Sequence, residues 1–156
     1  MSRKTSYQAA RVRDVEPGKS FVMHSAELIA SAAWRARPIH VVRLLDRLEI
    51  EHCNHAGLEN GYLVVTYDQF VEYGIGRRFL RRAIDEAIEL GLLRVPHQGL
   101  YRGGAKAEPS HYRLTYLKSK AIATAGAVYY VGPTNDWRTF AGKLKRPKIR
   151  SNGYHG

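Results

Sequence analysis

The sequence predicts an α+β fold, with helices in the middle of the chain and short strands after them. Apolar residues recur at helical spacing in several stretches between residues 25 and 90. Residues 92–96 and 111–117 instead show the alternation of apolar and polar residues that is typical of β-strands. The segment between these two strands is rich in glycine, which predicts a β-hairpin.

Length and charge limit the class of protein. The 156 residues suffice for one ordinary domain with extensions, and a hydrophobic content of 44% supports a packed core. The net charge is +11, from 25 basic and 14 acidic residues. Such an excess favours a polyanionic partner, with nucleic acid the first choice and an anionic membrane surface the second.

Several features favour a cytoplasmic location. No apolar run approaches the length of a membrane span, and the first residues lack the apolar stretch of a secretory signal. Cys53 is the only cysteine, so the chain cannot form an internal disulfide. We therefore expect a cytoplasmic, nucleoid-associated protein without a membrane partner.

Residues 66–92 predict two helices joined by a tight turn. Thr66 is a suitable cap for a first helix that extends to Tyr73. Gly74 predicts its end, because a residue without Cβ enters the left-handed region at little cost. A second helix is expected from Arg77 to Leu90. Two helices with a glycine-containing turn form a helix-turn-helix unit.

The second helix has two different faces. At about 100° per residue, one side collects the apolar residues Leu80, Ala83, Ile84, Ala87 and Ile88. The opposite side collects Arg77, Arg78, Arg81, Arg82 and Asp85. An apolar back and an arginine-rich front suit a helix that places its first turns in a DNA major groove.

The segment VTYDQFVEYGIGRRFLRRAIDEAIELGLLRV resembles the core of a winged helix-turn-helix domain. It is similar to the DNA-binding modules of bacterial regulators and of plasmid and phage replication initiators. The resemblance covers residues 21–117 and implies an N-terminal helical extension and a small β-hairpin wing. It also implies double-stranded DNA as the partner, bound by a recognition helix (77–90) and a wing (97–110).

Before the helix-turn-helix unit, residues 1–20 predict a flexible basic arm that is either solvated or placed in a minor groove. A helix is expected from Ser25 to Arg35, with Leu28, Ile29, Ala32 and Ala33 facing inward. A longer helix is expected over 39–52, and its buried stripe consists of Val41, Leu44, Leu45 and Leu48. Arg43, Asp46, Arg47 and Glu49 are expected to face water. Residues 62–65 predict a first short strand.

The candidate wing carries Arg102 and Lys106 beside a pair of glycines. It is either a solvated loop or a contact to the DNA backbone or minor groove, since small residues allow close approach to phosphate. Residues 118–144 form an extension in which 121–131 fit a strand, a helix or packed coil. Thr134 predicts a cap for a helix over 135–144, whose Trp137, Phe140, Ala141 and Leu144 should dock on the same domain or on a second copy.

Residues 145–156 predict a disordered basic tail that attracts phosphates through Lys145, Arg146, Lys148 and Arg150. The run from Glu51 to His55 contains metal-ligand residue types, but no second ligand pair follows it, so we expect no metal site. No catalytic constellation, cofactor motif or small-molecule site is evident, and we expect a protein that is not an enzyme.

Two functional hypotheses follow from the sequence. The first is a transcriptional regulator that binds specific DNA, and the alternative is an accessory factor for replication initiation or for recombination and excision. A winged helix that binds only proteins is disfavoured by the positive charge. A homodimer is a candidate assembly.

Overall fold

The computed structural model describes residues 15–100 and 108–145, and it confirms a mixed α+β architecture. The helices are α1 (Ala26–Ala30), α2 (Ala32–Arg35), α3 (Ile39–Asn54), α4 (Tyr67–Glu72) and α5 (Arg77–Glu89), and a 3-10 helix spans Asp136–Thr139. The strands are β1 (Leu93–His97), β2 (His111–Leu114), β3 (Ser119–Ile122) and β4 (Val128–Val131). They form two antiparallel hairpins, β1–β2 and β3–β4.

The core lies between α3, α5 and the inner face of the β1–β2 hairpin. The predicted stripe of α3 is fully buried and consists of Val41, Leu44, Leu45 and Leu48. The back of α5 contributes Leu80, Ala83, Ile84 and Ala87, and the hairpin contributes Leu93, Tyr112 and Leu114. Tyr116 is buried as well, as its alternation with Tyr112 and Leu114 predicted.

The prediction for Ile88 was wrong, because 44% of this residue is exposed. Ile88 lies about 80° around the helix from Leu80. Glu86 and Leu90, on the other flank of Leu80, are buried in its place. The buried arc of α5 is therefore displaced by part of a turn from the arc that the apolar residues alone predict.

The connection between α4 and α5 is fixed by local hydrogen bonds. Thr66 and Gln69 form a complete capping box at the start of α4. Gly74 has φ of +109°, and the amide of Ile75 donates to the carbonyl of Phe70 at 3.1 Å. This closes the end of α4 with a left-handed glycine. From α3, Arg43 Nη1 donates to the Gly74 carbonyl at 2.7 Å.

The helix expected over residues 25–35 is interrupted at Ser31, which has an extended backbone with ψ of 154°. Its hydroxyl donates to the Leu28 carbonyl and accepts from the Trp34 amide. Serine competes with helical hydrogen bonds in this way and favours helix ends. As a result Ile29, which was expected inside, is exposed, and Ala32 is only partly buried.

The strand predicted at 62–65 is reduced to a single bridge between Leu63 and Tyr112. The side chain of Asn60 supplies the next pair of bonds in its place. Its Nδ2 donates to the Leu114 carbonyl at 2.9 Å, and its Oδ1 accepts from the Leu114 amide at 2.8 Å. A buried amide thus satisfies backbone groups that a neighbouring strand would otherwise pair.

The prediction of a C-terminal helix over residues 135–144 was also wrong in length. Only the 3-10 turn Asp136–Thr139 forms, with Asn135 left-handed before it and Phe140 extended after it. Asp136 is held by two hydrogen bonds from Arg94, at 2.5 and 2.8 Å. Trp137 is buried in the chain's own core, with Phe140 and Leu144 packed against that core. Gly91 allows this docking, since a Cβ there would lie 2.6 Å from the Asp136 carbonyl carbon.

Two isoleucines of α5 test the position of its buried arc. Ile84 is 6% exposed, so Ile84→Ala should lower the free energy of unfolding by about 2–5 kcal/mol, because it removes buried atoms and leaves a cavity. Ile88→Ala is the matched control and should lower it by less than about 1 kcal/mol. Denaturant unfolding of both variants measures the difference. Equal losses would contradict the helix phase described above.

Candidate nucleic-acid interface

The exposed side of α5 carries Arg77, Arg78, Arg81 and Arg82, and we call these four residues the arginine face. By helical periodicity Arg78 and Arg81 lie opposite the buried arc, whereas Arg77 and Arg82 lie at its two flanks, beside Ile84 and Glu86. All four occupy the first two turns of α5, so their guanidinium groups share one surface of the molecule. The acidic residues near them are Asp68 on α4 and Asp85 and Glu86 on α5.

The four arginines differ in how strongly they are held. Arg77 donates to Asp68, which links the start of α5 to the start of α4. Arg81 lies 3.3 Å from Asp85 on the same exposed surface. Arg78 has no acidic partner among the described residues, and its guanidinium lies 4.6 Å from the centroid of the Phe79 ring. Arg78 is therefore the arginine with the fewest polar bonds to break when it binds a ligand.

Arg82 is anchored by a carboxylate that is almost buried. Its Nε donates to Glu86 Oε1 at 2.7 Å, and the second oxygen, Glu86 Oε2, lies 2.6 Å from His40 Nε2 on α3. The side chain of Glu86 is only 7% exposed. The His40 ring also stacks on Phe79 of α5, with 6.0 Å between the ring centroids. This network sets the orientation of α5 on α3 and of Arg82 within the arginine face.

The pKa of Glu86 reflects the balance between burial and hydrogen bonding. Burial alone would raise the pKa of this carboxyl, because it disfavours the charged form. Hydrogen bonds from Arg82 and His40, with the charges of the same residues, outweigh the burial and lower the pKa below its ordinary value of 4.5. Glu86 is therefore an anion at neutral pH.

The start of α5 has a second property that suits an anionic ligand. Its cap residue, Gly76, has no side chain and so provides no capping bond. The first amides of a helix point outward and carry the positive end of its dipole. An anion that reaches the arginine face would meet these amides as well.

The predicted β-hairpin on either side of the candidate wing is confirmed, because β1 and β2 pair antiparallel from Leu93–Leu114 to His97–His111, with a register shift between Arg94 and His97. At the base of its loop, Ser110 Oγ accepts from the amide of Gly99 at 2.9 Å. Arg102 and Lys106 lie outside the described residues. Their proposed contact with DNA remains a prediction from the sequence.

Lys145, the one predicted tail cation that the structure describes, lies at the far end of α5 from the start of the arginine face. The amide of Lys145 donates to Glu89 Oε1 at 2.9 Å, at the C-terminal end of α5. Glu89 lies eleven positions after Arg78 in α5, which corresponds to roughly 16 Å along the axis. Arg146, Lys148 and Arg150 lie outside the described residues, as do residues 1–14 of the predicted N-terminal arm.

His40, Arg43 and Glu86 support the site without having been predicted for it. The spacing of Arg82 and Glu86 by four residues was a visible signal for an ion pair on one helix. His40 reaches Glu86 across 46 positions of sequence, and Arg43 reaches Gly74 across 31. Such long-range pairs depend on the packing of α3 against α5, which the sequence pattern does not specify.

Across residues 15–100 and 108–145, no cluster of three or more metal-ligand side chains is present. Glu51 and His55, which belong to the histidine-rich run, bond to each other at 3.1 Å, and Arg47 also donates to Glu51. No helix in the same part of the chain has the length and apolar character to cross a membrane. Comparison with protein-family models, curated proteins and solved structures found no match to the chain.

The lowered pKa of Glu86 predicts a pH-dependent contribution to stability. Because the folded pKa lies below the unfolded value, the contribution is present above pH 4.5 and is lost as pH falls through the folded pKa. Glu86→Gln should lower the free energy of unfolding at pH 7 by about 1.5–3 kcal/mol. The difference from the unmodified protein should shrink as the pH falls below 4.5.

Denaturant unfolding of both proteins at a series of pH values from 7 to 3.5 tests this expectation. Asp85→Asn is the control, because Asp85 lies on the same helix but is exposed. Its variant should differ little from the unmodified protein at any of these pH values. A deficit in Glu86→Gln that stays constant down to pH 3.5 would show that the charge of Glu86 does not stabilise the fold.

Proposed function

We propose that the chain binds double-stranded DNA as a winged helix-turn-helix protein, with α5 as its recognition helix. The observation that carries this proposal is the arginine face, which places four exposed guanidinium groups on a helix whose back is buried. An α-helix fits the major groove, where guanidinium groups can reach both base edges and phosphates. The net charge of +11 provides the long-range attraction.

The order of elements supports the same proposal. In a winged helix-turn-helix domain a recognition helix follows a short helix and a tight turn, and a β-hairpin follows the recognition helix. Here α4, the turn at Gly74, α5 and the β1–β2 hairpin occur in this order. The hairpin loop would act as the wing. The Asp68–Arg77 pair and the Arg43–Gly74 bond would keep the turn rigid while α5 enters the groove.

The different environments of the arginines suggest different roles. Arg78 would read a base, because its guanidinium is exposed and forms no ion pair among the described residues. Arg81 is the second candidate, because its bond to Asp85 is long and exposed. A bidentate pair with guanine discriminates by about 1–3 kcal/mol against a wrong base. Arg77 and Arg82 would bind phosphates, because their acidic partners already fix one side of each guanidinium.

Transcriptional regulation is the role that we propose first. A part in replication initiation or in recombination and excision is the alternative. Mapping of the protein on the genome distinguishes them, since a regulator occupies promoters, whereas a processing factor occupies an origin or a recombination junction.

Salt dependence tests whether phosphate contacts contribute to binding. The logarithm of the affinity for duplex DNA should fall linearly with the logarithm of salt concentration, with a slope of about −0.9 per phosphate contacted. Arg82→Ala should make the slope shallower by about 1 unit. Arg138→Ala, which removes a cation paired with Glu27 away from α5, should leave it unchanged. Fluorescence anisotropy at several salt concentrations measures both slopes. Absence of binding at low salt would refute the proposal.

The arginine face and the tail should differ in their effect on sequence specificity. Arg78→Ala should reduce the difference in binding free energy between a selected site and a scrambled duplex by about 1–3 kcal/mol, because a base contact is lost. Removal of the residues after Leu144 should weaken binding to both duplexes by similar factors, since phosphate contacts carry no sequence information. Both affinities are measured at one fixed salt concentration. If the truncated chain loses discrimination and Arg78→Ala retains it, the tail reads the sequence and α5 does not.

A further inference from the structure

A cleft of about 360 Å³ lies between the β1–β2 hairpin and β3, and we call it the outer cleft. Tyr112 and Leu114 of β2 are buried in the core, so the alternate residues of that strand lie on the outer surface of the hairpin. The volume is at the small end of the range for ligand sites, which suits one small molecule or one unit of a polymer. The polar and aromatic residues that line the outer cleft are Tyr62, His97, His111, Arg113 and Lys120.

Arg113 is the unusual member of this lining, because its charge lacks a partner. Its Nε atom is shielded from solvent and has no hydrogen-bond partner among the described residues. Asp136, the carboxylate whose charge acts on Arg113, is bound by two hydrogen bonds to Arg94 instead. The hairpin loop 101–107 contains no acidic residue. A shielded guanidinium without a partner is costly, so an anion from outside the chain would complete this site.

The electrostatics around Arg113 agree with that requirement. Burial lowers the pKa of Arg113, the charge of Arg94 lowers it further, and Asp136 only partly offsets the two effects. Such a shift means that the surroundings disfavour the charged form. An arginine nevertheless stays charged in proteins. A bound anion would therefore remove an unfavourable interaction of the free protein.

The acidic side chains beside the other lining residues are already engaged. Glu59 accepts two hydrogen bonds from Lys120 Nζ, at 2.8 and 3.1 Å. Glu108 is exposed and lies 3.6 Å from His97. Among the described cations of the outer cleft, Arg113 is thus the one whose charge is free for a ligand.

One wall of the outer cleft consists of adjoining rings. The ring centroids of Tyr62 and His111 are 5.7 Å apart, and those of His111 and His97 are 5.1 Å apart. Lys120 Nζ lies 5.6 Å from the centroid of the Tyr62 ring. Aromatic side chains interleaved with cations form surfaces on which nucleobases stack.

We propose that the outer cleft binds a nucleotide, whose phosphate pairs with Arg113 and whose base stacks on Tyr62 and His111. A guanidinium group matches the oxygens of a phosphate with two parallel hydrogen bonds, and the imidazole of His97 can donate another. The nucleotide is either a free molecule or an unpaired unit of a nucleic-acid strand, and both present the same chemistry to the cleft. The outer cleft shares no residue with the arginine face, so this site does not depend on duplex binding by α5.

NMR titration of the full chain with AMP, adenosine and inorganic phosphate tests the site. AMP should bind and shift the resonances of His111 and Arg113. Adenosine lacks the phosphate and inorganic phosphate lacks the base, so each should bind at least about tenfold more weakly than AMP. Adenosine that binds as tightly as AMP, or AMP shifts that are confined to α5, would overturn the proposal.

Two variants separate the two halves of the ligand. Arg113→Met should weaken the binding of both AMP and phosphate by about tenfold or more, because the paired charge is lost. Tyr62→Leu should weaken the binding of AMP by about fivefold or more and leave that of phosphate unchanged, because only stacking is lost. AMP affinity that is unchanged in Tyr62→Leu contradicts the assignment of a nucleotide.

Stability and net charge supply the controls. Arg113→Met removes a shielded, unpaired charge, so denaturant unfolding without ligand should show no loss of stability. A destabilised variant would assign Arg113 a structural role and overturn the proposal. Arg35→Met removes an exposed charge from α2 and should leave AMP affinity unchanged. Equal losses in Arg35→Met and Arg113→Met would show that net charge alone attracts AMP, which also overturns it.

Comparison of dTMP with oligothymidylate distinguishes the two sources of the nucleotide. A strand that binds more tightly than dTMP, and loses that affinity in Arg113→Met, identifies a nucleic-acid strand as the ligand. If only dTMP binding depends on Arg113, the ligand is a free nucleotide, and if neither does, the proposal fails. Arg78→Ala should leave dTMP affinity unchanged. Failure of duplex binding would therefore refute the proposed function of α5 and leave the outer cleft intact.

Discussion

The contact between α3 and α5 is the constraint on which the site depends. The two helices pack against each other, and Ala83 and Ala87 of α5 are completely buried. Leu80 and Ile84 of the same helix are buried as well. Once this side of α5 is buried, the helical period leaves the four arginines on the sides that face solvent. The arrangement of charge on the surface is therefore a consequence of the shape of the core.

A second constraint is the carboxylate of Glu86, at the border between the core and the arginine face. An anion so well shielded from water is costly unless it is fully paired. Arg82 and His40 together satisfy both of its oxygens. The pair with His40 connects α5 to α3, and the pair with Arg82 reduces the freedom of that arginine. An interface that is ordered before binding loses less side-chain entropy when its ligand arrives.

The sequence predicted those elements whose formation depends on local pattern. Thr66, Gly74 and the apolar stripe of α3 are strong local signals, and the structure has the helices that they predict. The errors occurred where a distant contact replaces a local preference. The side chain of Asn60 takes the place of a strand ladder, and the pairing of Arg94 with Asp136 accompanies a single 3-10 turn where a longer helix was expected. In the site, spacing identified the arginine face, whereas His40 and Arg43 become part of it only through tertiary packing.

The close approach at Gly91 has a consequence for how the chain folds as a unit. Gly91 directly follows α5, and the backbone of the 3-10 helix occupies the space that any side chain there would need. Thr115 Oγ1 donates to the Gly91 carbonyl, and the amide of Asn135 donates to the Thr115 carbonyl. The end of the arginine-bearing helix, the end of β2 and the segment around Trp137 are thus joined in one hydrogen-bonded cluster. These parts should unfold in a single cooperative transition, and the segment around Trp137 is a structural component of the domain that displays α5.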